Sequence, residues 1–151
     1  MNRKSILLSF AFSITMLVSG SLFGQDSREH SGLSTEYTTI HSESGLTFQV
    51  KRSDCPLGEG LKPLVYTFMK ITNDSDQPKT VTFNFGLQYT EGCSGCGENS
   101  EHSGYLVIPA HSTVEGTCET PEKGLTRLIY NPNLQGGWKF EKVVLTNLSI
   151  Q

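Results

Sequence analysis

The sequence predicts an all-β protein, built as an antiparallel sandwich of about seven strands. Three observations lead to this prediction. Apolar and polar residues alternate over a long segment, strand-like segments recur with turn-forming residues between them, and no segment sustains helical periodicity. The length of 151 residues suits a single domain.

The first residues have the order of charge and apolarity that is typical of a secretory signal peptide. Arg3 and Lys4 precede the apolar run 6–18, which is followed by small residues up to Gly24. The run is shorter than the roughly 20 residues that a membrane-spanning helix needs. We therefore expect residues 1–24 to be removed on export, leaving no transmembrane segment in a secreted or periplasmic protein of Gram-negative type.

Residues 25–45 are polar, with Leu33, Tyr37 and Ile40 as their large apolar side chains. This composition predicts a flexible leader with a short strand near 37–40. The β-sandwich is then expected to span residues 46–151.

The strongest strand signal covers residues 79–90, where five apolar side chains occupy every second position: Val81, Phe83, Phe85, Leu87 and Tyr89. Such alternation predicts a half-buried strand. Residues 64–72 are apolar on both faces and predict a second, central strand. The polar segment 73–78 lies between the two, and we expect them to pair as a hairpin.

Five weaker strands complete the prediction. They are expected at 46–51, 105–108, 113–119, 125–130 and 138–150. In the last of these, Glu141 and Lys142 interrupt the alternation and predict a β-bulge.

The run YTFMKITNDSDQPKTVTFNFGLQY, followed later by YLVIPAHSTVEG, resembles immunoglobulin-like sandwiches of exported bacterial proteins. The chain is also similar to small exported proteins of Gram-negative bacteria that carry C-x-x-C and then E-G-x-C, here at 93–96 and 115–118. The resemblance covers about 64–118. It implies an immunoglobulin-like fold and supplies no catalytic residue.

The predicted pairing brings the four cysteines to one end of the sandwich. Antiparallel strands at 46–51, 64–72 and 79–90 place Cys55 and Cys93 near the start of the strand 64–72. In an immunoglobulin-like order the strand at 113–119 also pairs with 64–72, which adds Cys118. The loops 52–63, 91–104 and 119–124 would then share one pole.

An oxidising compartment favours disulfides between these cysteines. We favour Cys93–Cys96 with Cys55–Cys118, because the second bond closes a long loop between strand ends. The pairings Cys55–Cys93 with Cys96–Cys118, and Cys55–Cys96 with Cys93–Cys118, remain open.

Two alternatives use the same sulfur atoms. A tetrahedral zinc site could take all four cysteines, with His102 as a substitute ligand, although the chain has one C-x-x-C and zinc ribbons have two. Thiol–disulfide exchange could use Cys93 and Cys96. It would lack the helix N-terminus that usually lowers the thiol pKa, and Glu98 and Glu101 would raise that pKa.

The net charge and the histidine motifs argue against two classes of function. With 12 basic and 15 acidic residues the chain carries a formal charge of −3, which disfavours nucleic acid as a partner. Each histidine is followed by serine, and neighbours on a strand face opposite ways, so they make no nucleophile–base pair.

We predict a non-enzymatic binding or accessory structural module without cofactor. Its partner would be a protein or a surface glycan, with Trp138 as the candidate for stacking on sugar.

Overall fold

The computed structural model describes residues 28–31, 33–98, 101–119, 124–129 and 139–151. The predicted signal peptide and Trp138 lie outside these residues. Within them the regular secondary structure consists of strands. They are, in chain order, β1 (Arg28–Ser31), β2 (Thr38–Glu43), β3 (Leu46–Cys55), β4 (Leu64–Asn73), β5 (Lys79–Tyr89), β6 (Gly92–Ser94), β7 (Ser103–Ile108), β8 (Ser112–Glu115), β9 (Thr126–Leu128) and β10 (Phe140–Ile150).

The strands form two antiparallel sheets. The first sheet has the order β1-β10-β5, and both β6 and β7 pair with the far edge of β5. The second sheet has the order β2-β3-β4, and both β8 and β9 pair with the far edge of β4. The chain is therefore an all-β sandwich, as predicted.

The core lies between the sheets and comes from alternate residues of the central strands. All five apolar side chains of the alternating segment in β5 are at most 1% exposed. They pack against inward residues of β3 and β4, among them Phe48, Met69 and Ile71. Burying a side chain of this size contributes about 1.5–3 kcal/mol, so the period-two pattern supplies much of the driving force for this architecture.

Most of the predicted strands are present. The bulge is confirmed as well, because the register between β10 and β5 shifts between Phe140 and Lys142. The strands predicted at 113–119 and 125–130 are shorter than expected, as β8 and β9. The described residues form ten strands where about seven were predicted, since β1, β2 and β6 add to the count.

The predicted hairpin between the segments 64–72 and 79–90 is wrong, because β4 and β5 lie in different sheets. The buried side chain of Asn73 holds the crossing. Its Nδ2 donates to the carbonyls of Gln77 at 2.8 Å and Ile108 at 3.1 Å, and its Oδ1 accepts from Ser75 N at 3.0 Å. These bonds tie the segment 74–78 to β7, so the chain crosses between sheets there.

Strand pairing extends into the segment predicted as a flexible leader. The expected short strand is present as β2, which pairs with β3, and β1 pairs with β10. Ile40 packs against the core, and Arg52 N donates to Ser34 O at 2.7 Å. Tyr37 lies beneath the ammonium groups of Lys51 and Lys70, at 4.5 and 4.2 Å from the ring centre.

Candidate functional site

The four cysteines form two disulfides. Cys55, the last residue of β3, is bonded to Cys118, with their Cα atoms 5.5 Å apart. Cys93 in β6 is bonded to Cys96, with a Cα distance of 5.9 Å. This is the pairing that the sequence favours, and the two other pairings do not occur.

Both disulfides belong to the same half of the sandwich. β4 begins opposite Cys55, since Cys55 is in register with Leu64. The segment 74–78 returns the chain, so β5 ends on the side where β4 begins, and Cys93 follows shortly after. The two bonds lie on different sheets, however. Within the residues described, no three His, Cys, Asp or Glu side chains converge as metal ligands, and the zinc alternative would need both disulfides reduced.

Residues 92–98, which we call the cysteine loop, fold back over the outer face of the first sheet. They cover Gly86, which is buried in the middle of β5. A Cβ atom at Gly86 would lie 2.5 Å from Cys96 Sγ and 3.2 Å from Cys93 Sγ. Only glycine at this position allows the disulfide to lie directly on the sheet.

Hydrogen bonds from two strands hold the cysteine loop in addition to the disulfide. Asn84, on the outer face of β5 and 2% exposed, donates from Nδ2 to the carbonyl of Gly97. Its Oδ1 accepts from Ser103 Oγ at 2.7 Å, which fixes the amide. Thr146 Oγ1, on β10, donates to the carbonyl of Cys96 at 3.3 Å. The loop is therefore anchored on two neighbouring strands of the first sheet.

Arg127 in β9 joins the cysteine loop to the second sheet. β5 pairs with β6 at Leu87–Tyr89 and with β7 at Lys79–Asn84, which leaves Phe85 in a gap at that edge. Arg127 is 5% exposed, and its Nη1 fills the gap by donating to Phe85 O at 2.8 Å. A buried carbonyl that would lack a strand partner is thereby satisfied.

The same guanidinium contacts both residues between Cys93 and Cys96. Nη2 donates to Ser94 Oγ at 2.9 Å and Ser94 O at 3.3 Å. Gly95 has φ +88°, and a Cβ atom there would overlap Nη1. The guanidinium of a buried arginine therefore lies against the two residues that separate the cysteines.

The exposed side of this region is acidic. Glu91, Glu98 and Glu101 are exposed, and residues 91–104 contain no lysine or arginine. Burial lowers the pKa of His102, repulsion from Arg127 lowers it further, and Glu101 opposes both effects. His102 therefore favours its neutral form and adds no positive charge to this surface.

Two further surface features are exposed apolar side chains and a groove, and neither has the network of hydrogen bonds that holds the cysteine loop. Among the residues that the structure describes, the exposed large apolar side chains fall into two pairs, Leu57 with Leu61 between β3 and β4, and Tyr105 with Val107 on β7. A groove of about 420 Å³ runs along the end of β3 and is lined by Thr35, Lys51, Arg52, Ser53 and Asp54.

Sequence reasoning missed Arg127 as a site residue, although the pattern contained a signal for it. Leu125 and Ile129 flank β9 and pack in or against the core, so a residue midway between them has the same inward parity. An arginine at such a position must find buried acceptors. Gly86 carried a second signal, since glycine within a strand marks close approach of another segment.

No family model matches this chain, and neither a curated protein nor a solved structure matches it. The immunoglobulin-like assignment therefore stays a prediction. Among the residues that the structure covers, no helix has the length and apolarity to cross a membrane.

Proposed function

We propose that this chain is an exported, non-enzymatic β-sandwich module that acts by binding, as an accessory part of a larger assembly. The two disulfides support export, because such bonds persist in oxidising compartments. The apolar run that follows Arg3 and Lys4 supports a route through a cleaved signal peptide.

One observation carries the binding role: the cysteine loop is fixed in place by its disulfide, by Arg127 and by Asn84. A loop held in one conformation loses little conformational entropy when it binds, so a modest contact can give useful affinity. Rigid scaffolds present their binding groups on loops of this kind. The surface we assign comprises the exposed parts of residues 91–98 and 101–104.

The charge of this surface favours a protein partner with basic side chains. Glu98 and Glu101 project into solvent, and Glu91 adds a third carboxylate at the other end of the loop. Complementary charges accelerate encounter and select the orientation of the partner. A surface glycan remains the alternative partner, and its stacking candidate is Trp138.

The test uses photo-crosslinking in the cell that produces the protein. A photoreactive residue replaces Glu98 in one variant and Asp76 in another. Asp76 is also exposed but lies in the 74–78 crossing, at the opposite pole. We expect a discrete crosslinked species from position 98 and none from position 76. Its yield should fall in E91Q/E101Q and as salt is raised, because surface charge pairs are screened.

Two outcomes would overturn the proposal. Identical crosslinks from both positions, or none from position 98, would exclude the cysteine loop as the binding surface. Crosslinking to glycan alone would replace the protein partner by the alternative.

The export step is tested separately by intact mass, which should correspond to residues 25–151 with both disulfides formed. Recovery of the complete chain in reduced form would contradict it.

A further inference from the structure

We propose that the Cys93–Cys96 disulfide is an exchange site, which accepts two electrons from an external dithiol and can return them. This activity goes beyond the binding role and does not depend on it. Four observations support it: the accessibility of Cys93, the low cost of opening this disulfide, the hydrogen bonds that keep the loop in place, and the buried charge of Arg127.

Accessibility determines which sulfur is attacked. Cys93 is exposed, whereas Cys96 is half-buried and its Sγ lies closest to the Gly86 position. An incoming thiolate therefore reaches Cys93 Sγ, and Cys96 is the leaving group. The other disulfide also has one exposed member, Cys118, so accessibility alone does not distinguish the two bonds.

The cost of opening the bond does distinguish them. Cys55 and Cys118 are 63 positions apart in the sequence, so their bond closes a long loop and strongly restricts the unfolded chain. Its reduction would remove that restriction and lower the stability of the folded state. Cys93 and Cys96 are 3 positions apart in the sequence, so the loop they close is short and its reduction costs less stability. Opening of the Cys93–Cys96 bond is therefore compatible with a folded sandwich.

The cysteine loop has supports that do not depend on the bond between its sulfurs. Arg127 holds Ser94, Asn84 holds the Gly97 carbonyl, and Thr146 holds the Cys96 carbonyl. These contacts remain possible when the cysteines are reduced. They keep the two sulfur atoms near each other, which favours re-formation of the disulfide once an oxidant is present.

The buried charge favours the reduced form as a thiolate. The Arg127 guanidinium contacts both residues between the cysteines, and a neighbouring cation stabilises a thiolate. The opposing carboxylates, Glu98 and Glu101, are exposed and therefore screened by solvent. His102 favours its neutral form. Lys142 is on β10, and Gln88 of β5 lies between it and Cys93. Of these groups, Arg127 is the one that is both buried and hydrogen-bonded to the loop.

The exchange balances with a dithiol as the co-reactant. Its first thiolate attacks Cys93 Sγ, the Cys93–Cys96 bond breaks, and Cys96 leaves as a thiolate with the bonding electron pair. The second thiolate of the dithiol then attacks the mixed disulfide and releases Cys93. The dithiol becomes a disulfide, and the protein gains two electrons and, after protonation, two thiols.

The first experiment equilibrates the purified protein with mixtures of reduced and oxidised glutathione at pH 7. Thiols are trapped by acid and alkylation, and the state of each cysteine is measured by peptide mass spectrometry. We expect Cys93 and Cys96 to become reduced while Cys55–Cys118 stays intact and the far-UV circular dichroism is unchanged. Equal resistance of both disulfides, or reduction of Cys93–Cys96 only together with unfolding, would overturn the proposal.

Arg127 is a positioning residue in this scheme, and its role has a separate readout. In the selectively reduced protein, alkylation of Cys93 by iodoacetamide at pH 7 should be about tenfold faster than in a peptide of residues 90–98, since an ordinary thiol has a pKa of about 8.5. R127M should abolish the difference and R127K should retain most of it. A rate in the wild-type protein equal to that of the peptide would exclude thiolate stabilisation, even if R127M failed to fold.

Discussion

Gly86 sets how closely the cysteine loop can lie on the first sheet. We expect G86A to destabilise the protein by about 1–3 kcal/mol, because the added Cβ would overlap Cys96 Sγ and force the loop away. Urea unfolding of purified variants measures this change in the free energy of unfolding. The matched control is G97A, whose Cβ would meet no atom within 4 Å.

A double-mutant cycle identifies the cause. In a C93A/C96A background the sulfur atoms are gone, so the cost of G86A should become smaller than in the wild-type protein. An unchanged cost would show that the strand itself, and not the disulfide, requires glycine at this position.

Tyr37 gives the fold a dependence on alkaline pH. Burial, aided by the carboxylate of Glu115, raises the pKa of Tyr37 to about 12 from 10.0. The raised pKa favours the neutral phenol in the folded state. Its stabilising contribution is therefore complete below pH 10 and is lost as the pH rises from 10 to about 12.

We expect the free energy of unfolding to fall by roughly 1 kcal/mol across this window, after allowance for solvent screening of a half-buried group. Y37F should lack this step. It is a suitable control because it keeps the ring that lies beneath Lys51 and Lys70. An equal loss of stability in Y37F would show that groups other than the Tyr37 phenol cause the effect.

At the scale of elements, the two disulfides differ in the length of chain that they close. Removing Cys55–Cys118 in C55A/C118A should cost about 4 kcal/mol in the chain-entropy model, and removing Cys93–Cys96 in C93A/C96A about 2 kcal/mol. Equilibrium urea unfolding of the two double variants compares these costs. If C93A/C96A lost more stability than C55A/C118A, the cysteine loop and not the Cys55–Cys118 bond would be the principal structural clamp.

Strand positions were predictable because period-two alternation reports which residues face the core. The alternation does not indicate which other strand pairs with a given strand. The alternation in β5 and the polar segment 74–78 fitted a hairpin, yet Asn73 binds the carbonyls of Gln77 and Ile108 and the chain crosses to the other sheet. An asparagine at the end of a strand gives no sign of where its buried acceptors are.

The shortest strands were not predictable for a different reason. β6 consists of Gly92–Ser94 and has no apolar alternation. It pairs with β5 because the tight return after Tyr89 brings its backbone alongside, and the cysteine loop then closes over Gly86. The hydrogen bond from Arg127 to Ser94 comes from the other sheet and also holds this segment, and local alternation gives no sign of it.

For the molecule as a whole, the sequence predicted the two-sheet architecture and the gathering of sulfur atoms in one half. Core alternation specifies the first. The second follows because the short segment 74–78 reverses the chain, so β5 runs back towards the start of β4 although the two strands lie in different sheets. The sequence did not predict that the disulfides would lie on different sheets. That separation arises from the crossing at 74–78, and it leaves one disulfide to clamp the second sheet while the other shapes a loop on the first.

Cys55–Cys118 clamps the second sheet, and Cys93–Cys96 shapes the loop on the outer face of the first. The most direct measurement is a disulfide map, made by proteolysis of the exported protein under non-reducing conditions followed by mass spectrometry. We predict one linkage between the segments that carry Cys55 and Cys118 and a second within residues 92–98. A linkage from Cys93 or Cys96 to either of the other two cysteines would contradict the claim.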